Sequence, residues 1–180
     1  MSKLTCWNCH ASFSISQDFC DTCGKIQKPQ EKNNFTLLDM PEKFDIDLQQ
    51  VEKAYFSKQS RFHPDLFVTA SEREKSYAIQ HTSQLNNAYQ ILKDPLKRAK
   101  HVLEHYGISQ EETLQDSELL MEMMLLREAL ETDREKNLHQ IDQKVSLSLT
   151  ALKQAFDYKD FSSAKKQLDR LKYLKRLRES

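Results

Sequence analysis

The chain has 180 residues, of which 38% are hydrophobic and 30% carry a charged side chain. This length accommodates one medium domain or two small ones, and the high charged fraction limits the thickness of any hydrophobic core. The 27 Lys and Arg residues balance the 27 Asp and Glu residues, so net charge does not direct the protein toward nucleic acid or an anionic membrane. No apolar run reaches the length of a membrane span. Only two glycines occur in the chain, which favours an all-α fold.

All four cysteines lie in the first 23 residues, where they form two CxxC pairs separated by ten residues. Two residues between thiolates allow both sulfurs of a pair to reach one tetrahedral ion, and Gly24 lets the backbone turn toward them. A segment this short buries little core of its own, so a bound metal would stabilise its fold. We therefore predict a zinc module over residues 1–28, with one structural zinc ion held by Cys6, Cys9, Cys20 and Cys23.

Two other interpretations of the cysteines are open. The segment CWNCH, residues 6–10, matches the attachment sequence of c-type haem, and a CxxC pair can also be a redox dithiol. Haem attachment requires export machinery, whereas the segment before Cys6 has no features of a signal peptide. Neither interpretation accounts for the second CxxC pair, so zinc is favoured, and His10 is a bystander or a spare ligand.

A polar stretch without periodicity follows, and residues 29–34 are predicted to be a linker. A short apolar turn then precedes two helices, which begin at capping boxes at Asp47 and Ser71. The first of these helices ends before Pro64, because the residue preceding a proline is disfavoured in the α region. A fourth helix, capped by Asp94 and with a proline at its first position, ends before a glycine at position 107.

Three further helices are predicted, over residues 117–131, 133–157 and 161–178, after a connection at 109–116. The second and third carry apolar residues at the 3.6-residue spacing of one helix face. Short breaks between such helices are typical of an antiparallel three-helix bundle.

The first helix of this bundle, LLMEMMLLREAL at residues 119–130, carries more apolar residues than one core stripe needs. Leu119, Met123, Leu126 and Leu130 form a sufficient stripe, and the remaining Leu and Met side chains lie outside it. The surplus is either buried on a second side of the bundle or forms a surface for a partner. A thin bundle seldom buries a helix all round, so the partner surface is favoured, with methionine supplying adaptable contacts.

The tripeptide HPD, His63 to Asp65, lies between two predicted helices. Taken alone, it is a turn in which Pro64 stops one helix and Asp65 caps the next. No Ser, Cys or Lys nucleophile is evidently paired with His63, and the chain has no Gly-rich phosphate loop, so an enzyme is not expected.

With a helix on each side of the HPD loop, residues 35–107 resemble a J domain. The whole chain resembles the HscB family of J-type co-chaperones of iron-sulfur cluster biogenesis, in NNAYQILKDPLKRAKHVLEHYG at residues 86–107 and in the Leu- and Met-rich segment. The cysteine module resembles the zinc module of mitochondrial and some other HscB proteins. This resemblance implies a zinc module at 1–28, a linker at 29–34, a J domain at 35–107 and a scaffold-binding bundle at 108–180.

The resemblance implies that the J domain docks on an ATPase chaperone of the HscA or DnaK type and stimulates its ATP hydrolysis. The family's triggering loop corresponds to His63, Pro64 and Asp65. Lys53, Lys58 and Arg61, on the preceding helix, would present a basic face to an acidic chaperone surface. Asp65 would offer an acceptor for an arginine, and the basic residues would steer the encounter.

The resemblance also implies a second partner, an IscU-like scaffold protein on which iron-sulfur clusters are assembled. The matching contact positions in this chain are Leu120, Met121, Met124, Glu128 and Tyr173. Leu125 occupies a position where the family often has an acidic residue, so the patch is more apolar here.

Two other functions are open. One is a general J-domain protein whose bundle binds a different client. The other is a zinc-dependent nucleic-acid binder that uses the cysteine module and the basic C-terminal helix. A charged helix face is usually only solvated, so neither nucleic acid nor a membrane is an expected partner. The absence of a recognisable presequence favours the bacterial cytoplasm over the mitochondrial matrix, and a homodimer is compatible with the sequence.

Overall fold

The computed structural model describes residues 3–108 and 117–179. Seven α-helices form most of the described chain, and the predicted all-α architecture is confirmed. The predicted connection at 109–116 lies outside the described residues. Among the described helices, none is both long enough and apolar enough to cross a membrane.

The elements begin with two short strands and continue with helices only. In chain order they are β1 (Lys3–Thr5), β2 (Ser12–Ser14), α1 (Asn34–Leu37), α2 (Leu48–Gln59), a 3-10 helix (Pro64–Phe67), α3 (Glu72–Lys93), α4 (Pro95–His105), α5 (Ser117–Thr132), α6 (Arg134–Asp157) and α7 (Phe161–Glu179). The three predicted bundle helices agree with α5, α6 and α7 to within one residue at each end.

Two compact units make up the chain. The first unit contains the cysteine module and helices α1 to α3, and the second contains α4 to α7 together with Lys43–Asp45. The division falls after Lys93, so α4 groups with the bundle, where it packs against α7. The predicted domain boundaries follow the family resemblance, and they stay a prediction.

Side chains that accept backbone N–H groups fix where the helices begin. The Asp47 carboxylate accepts the amides of Gln49 and Gln50 at the start of α2. At the start of α3, the Ser71 hydroxyl accepts the Glu74 amide at 3.4 Å, and Glu74 accepts the Ser71 amide at 3.1 Å. Asp94 caps α4 in the same way. The predicted helix starts are confirmed, because a cap depends only on neighbours in sequence.

The described residues of the second unit form two apolar clusters. One joins α4, α6 and α7 around Leu103, Leu152 and Leu168, with Phe44 packed against it. The other joins α5 to α6 and α7 around Met123, Ile141 and Leu174. Both clusters contain Leu, Ile or Met at helical spacing, as the apolar stripes predict.

A short β-hairpin in the cysteine module was not predicted. Strands β1 and β2 pair antiparallel, with Leu4 opposite Phe13, and the first CxxC pair lies between them. Strands of three residues give no readable alternation in sequence, since period-2 patterns need about four residues or more. The hairpin places Cys6 and Cys9 in the segment that connects its two strands.

Candidate functional site

The four cysteine side chains converge on one point in the first unit. Their Sγ atoms all lie within 4.8 Å of one another, and among the described residues no other group of His, Cys, Asp and Glu side chains is placed to hold a metal ion. The sulfurs of Cys6 and Cys23 are 3.7 Å apart, as are those of Cys9 and Cys20. The predicted ligand set is therefore assembled in a site able to hold a metal ion.

The two CxxC segments form backbone turns of the same type. The amide of His10 donates to the Cys6 carbonyl at 3.1 Å, and the amide of Gly24 donates to the Cys20 carbonyl at 2.8 Å. Both residues have left-handed backbone angles, with φ of 60° and 70°. His10 thus occupies the turn position that Gly24 occupies in the second pair, and its side chain does not belong to the sulfur cluster.

The electrostatics of the sulfurs favour a bound cation. Burial would raise the pKa of Cys6, but backbone hydrogen bonds at Cys9 and Asn8 outweigh it and lower the pKa to about 6. A backbone hydrogen bond at Ala11 would lower the pKa of Cys9, but burial and the other three sulfurs raise it to about 12. Four thiolates this close repel one another unless a cation lies between them. A set of four thiolates is typical of structural zinc, so these residues fit that ion.

The HPD loop is exposed at the end of α2. His63 caps the 3-10 helix, and its Nδ1 accepts the Asp65 amide at 3.4 Å. The same Nδ1 lies 3.5 Å from Asp65 Oδ2, and the two side chains are 55% and 84% exposed. Pro64 is the first residue of the short helix and fixes the backbone between them. Side chains this open to solvent suit contact with another protein better than enclosed chemistry.

The three basic residues predicted to face the chaperone differ in their surroundings. Lys58 Nζ lies 2.9 Å from Asp39 Oδ2. The guanidinium of Arg61 lies over the ring of Phe19, 5.3 Å from its centre. Lys53 is exposed, and within the described part of the chain it has no ion pair. Two of the three positive charges are therefore engaged within the first unit.

Helix α5 in the second unit has two distinct apolar faces. The predicted stripe of Leu119, Met123, Leu126 and Leu130 is buried, each residue being 7% or 8% exposed. The surplus apolar side chains are exposed to a much greater extent: Leu120 42%, Met121 68%, Met124 66% and Leu125 61%. The interpretation of the surplus as a second buried face is therefore wrong, and an exposed apolar patch remains. We call these four residues the α5 patch.

A groove of about 340 Å³ lies at one edge of the α5 patch, between α5 and α7. Leu120, Met124 and Tyr173 line it together, so three of the five predicted scaffold contacts meet there. Met121 and Glu128 are exposed on α5 outside the lining. The groove is also lined by Arg127, Arg176 and Leu177, which sequence reasoning missed, and by Met123, which it assigned to the buried stripe.

The two arginines of the groove could have been found by helical spacing. Arg127 lies three residues after Met124, and Arg176 lies three residues after Tyr173, over whose ring its guanidinium stacks at 5.8 Å. Among the described residues, neither arginine has a carboxylate within ion-pair distance. The groove therefore combines an apolar floor with two positive charges.

Both units of the chain match known protein families. Residues 33–101 match the DnaJ domain family, and residues 115–180 match the HSCB C-terminal oligomerisation domain family. The co-chaperone protein HscB homolog of Vibrio campbellii is 37% identical over 158 residues, which cover 81% of this chain and 92% of the relative. The homolog of Photobacterium profundum is 36% identical over the same coverage.

Two solved structures are similar to this chain over most of its length. The crystal structure of human co-chaperone protein HscB has a TM-score of 0.91 and 28% identity, and the match covers 98% of this chain and 95% of the human one. Chaperone HscB from Vibrio cholerae has a TM-score of 0.74 and 36% identity, covering 82% and 94%. With a J domain, an HscB-type C-terminal domain and relatives of this identity, the chain belongs to the HscB family of co-chaperones.

Proposed function

We propose that this protein binds an IscU-like iron-sulfur scaffold, delivers it to an ATPase chaperone of the HscA or DnaK type, and stimulates ATP hydrolysis by that chaperone. The observation that carries the proposal is the presence, on one chain, of an exposed HPD loop in the first unit and the α5 patch in the second. A protein that couples a client to a chaperone needs two such surfaces. It catalyses no covalent reaction itself; its effect is on the active site of the chaperone.

The HPD loop presents exposed side chains that a chaperone can bind. Asp65 presents an exposed carboxylate, which can accept two hydrogen bonds from one arginine. Pro64 limits the backbone freedom that binding would otherwise remove. Lys53 supplies an unengaged positive charge for steering, whereas Lys58 and Arg61 already interact within the unit. Because Asp39 offsets the charge of Lys58, steering by these three residues should be weaker than three unpaired charges would give.

The α5 patch supplies an adaptable apolar contact for the scaffold. Its two methionines can repack against a partner, and the groove beside them accepts a protruding side chain. Arg127 and Arg176 would pair with a carboxylate or carbonyl at the edge of that contact. Leu125, 61% exposed, extends the apolar area along the helix. Apolar anchors surrounded by charged groups are typical of protein interfaces.

We further propose that the four cysteines hold zinc. When bound, the ion would stabilise the fold of the module and would take no part in a reaction. Metal analysis of the purified protein should give about one zinc ion per chain. Replacing Cys20 with serine should reduce the zinc content to near zero, because three thiolates bind the ion far more weakly than four. Replacing the exposed Ser16 with alanine is the control, and it should leave the content unchanged. Detection of haem, or of no metal, would contradict the assignment.

The experiment that tests the whole proposal is a steady-state ATPase assay of an HscA-type chaperone. Adding this protein should raise the rate, and adding an IscU-like scaffold as well should raise it further, because the client and the loop then act on one chaperone. Stimulation that the scaffold does not change would favour a general J-domain protein with another client. No stimulation under either condition would remove the co-chaperone proposal.

Ion pairs weigh against the nucleic-acid alternative. Basic residues of α7 pair within the second unit, Arg170 with Glu122 at 2.6 Å and Arg178 with Asp142 at 2.8 Å. Charges that are already paired release fewer counterions when nucleic acid binds. We propose the bacterial cytoplasm as the compartment. The description of the matching C-terminal family as an oligomerisation domain makes a homodimer worth testing.

A further inference from the structure

Three aromatic rings form a continuous stack between the cysteine module and α3. The ring of Phe19, from the module, lies 5.6 Å from the ring of Phe62, with 3° between their planes. Phe62 in turn lies 4.3 Å from the ring of His81 on α3, with 2° between the planes. Phe62 is 2% exposed and directly precedes His63. The stack therefore contains the residue that immediately precedes the HPD loop.

The backbone at Phe62 is also held in place. The hydroxyl of Thr82 donates to the Phe62 carbonyl at 3.2 Å. The guanidinium of Arg61 lies over the rings of both Phe19 and Phe62, at 5.3 and 5.7 Å. The side chains that fix Phe62 thus come from α3, from the cysteine module and from the adjacent Arg61. The exposed loop begins where the chain emerges from between them.

His81 is fixed from the module side. Its Nε2 lies 2.9 Å from the backbone oxygen of Gln27, to which the neutral ring donates. Burial lowers the pKa of His81, which favours the neutral imidazole. The Gln27 side chain, only 2% exposed as a residue, donates to Cys6 Sγ at 3.3 Å. One buried residue thereby connects a sulfur of the metal site to the third ring of the stack.

A second set of contacts between the module and α3 does not involve the stack. The guanidinium of Arg73 lies 5.0 Å from the centre of the Trp7 ring, and Lys25 pairs with Glu74 at 2.9 Å. These contacts also hold the module against α3. They do not explain the place of Phe19, because docking of the module does not require an aromatic ring against Phe62.

We propose that Phe19 is a positioning residue for the HPD loop, acting through Phe62 to hold the direction in which His63 and Asp65 face the chaperone. A loop that is already oriented loses less conformational freedom on binding, so less co-chaperone is needed for the same effect. The inference rests on the proposed chaperone function. It extends that function by giving the cysteine module a part in the interaction.

The test compares Phe19→Ala with Phe19→Tyr in the full-length, metal-loaded protein. Phe19 is half-buried, so its truncation leaves the module core intact. In Phe19→Ala, exchange of the Asp65 and Leu66 amides, which donate to His63, should become about three- to tenfold faster. The concentration for half-maximal ATPase stimulation should rise by a similar factor while the maximal rate is kept. Phe19→Tyr retains the ring and should behave as the unmodified protein.

Arg73→Ala is the matched control, because it removes a docking contact outside the stack. It should leave exchange of the Asp65 and Leu66 amides unchanged. The proposal is overturned if Phe19→Ala does not change loop exchange, if Arg73→Ala speeds it equally, or if exchange rises throughout α3. If the unmodified protein does not change the ATPase rate of the chaperone, the proposed co-chaperone function is contradicted. In that case faster loop exchange in Phe19→Ala alone would still support the positioning role.

Discussion

Replacing Asp65 with asparagine is expected to abolish stimulation of the chaperone ATPase while leaving scaffold affinity intact. The carboxylate is 84% exposed and lies beside His63, so its partner is to be sought on another protein. Losing one member of a charge pair that becomes buried at an interface costs about 2 to 5 kcal/mol. The concentration needed for stimulation should rise about 30-fold or more, beyond the range of a normal assay.

The control for Asp65→Asn is Glu72→Gln, which removes one exposed negative charge from the start of α3. Both variants should unfold within about 0.5 kcal/mol of the unmodified protein, because both side chains are on the surface. Stimulation should be retained only in Glu72→Gln. If Asp65→Asn also stimulates normally, the loop is a structural turn and the assignment of a J-domain role to it fails.

Replacing both Leu120 and Met124 with alanine is expected to weaken scaffold binding by about 100-fold, which corresponds to about 2.7 kcal/mol. Both side chains line the groove between α5 and α7, and neither contributes to the buried stripe of α5. Truncation therefore removes contact area for a partner without opening a cavity in the core. Calorimetry with an IscU-like scaffold measures the effect directly.

The matched control is Leu147→Ala on α6, since Leu147 is an apolar residue that is 70% exposed and does not line the groove. It should leave scaffold affinity unchanged. The Leu120 and Met124 double variant should still stimulate the chaperone when no scaffold is present, because the HPD loop is untouched. Unchanged scaffold affinity in the double variant would instead favour a J-domain protein whose client binds elsewhere.

Several features could be predicted from sequence because they depend on residues within about one helical turn. The caps at Asp47, Ser71 and Asp94 accept amides two or three positions along the chain. The buried stripe of α5 follows from the 3.6-residue period alone. The CxxC spacing likewise constrains both sulfurs of a pair to approach one ion. In each case the physical interaction is local, so the sequence contains all of the information.

The site on α5 was only partly predictable. Periodicity separates Leu120 and Met124 from the buried stripe, and their exposure agrees with that separation. That Leu120 and Met124 lie near Tyr173 was predicted only from the family resemblance, because no sequence pattern within α5 indicates which residues of α7 it contacts. Arg127 and Arg176 were missed because an arginine on a helix face is usually only solvated. Their place beside the groove depends on how α5 and α7 pack.

The sequence by itself determined the helices, the cysteines of the candidate metal site and the position of the HPD loop between two helices, because hydrogen-bonded caps, helical periods and CxxC spacings act over a few residues. Only the tertiary structure decided what surrounds that loop. Arg61, which is exposed and is predicted to face the chaperone, also lies over the rings of Phe19 and Phe62. His81 meets the Gln27 carbonyl from 54 residues away. Such contacts form when separate segments are packed together to bury their apolar rings, and short-range patterns do not encode them.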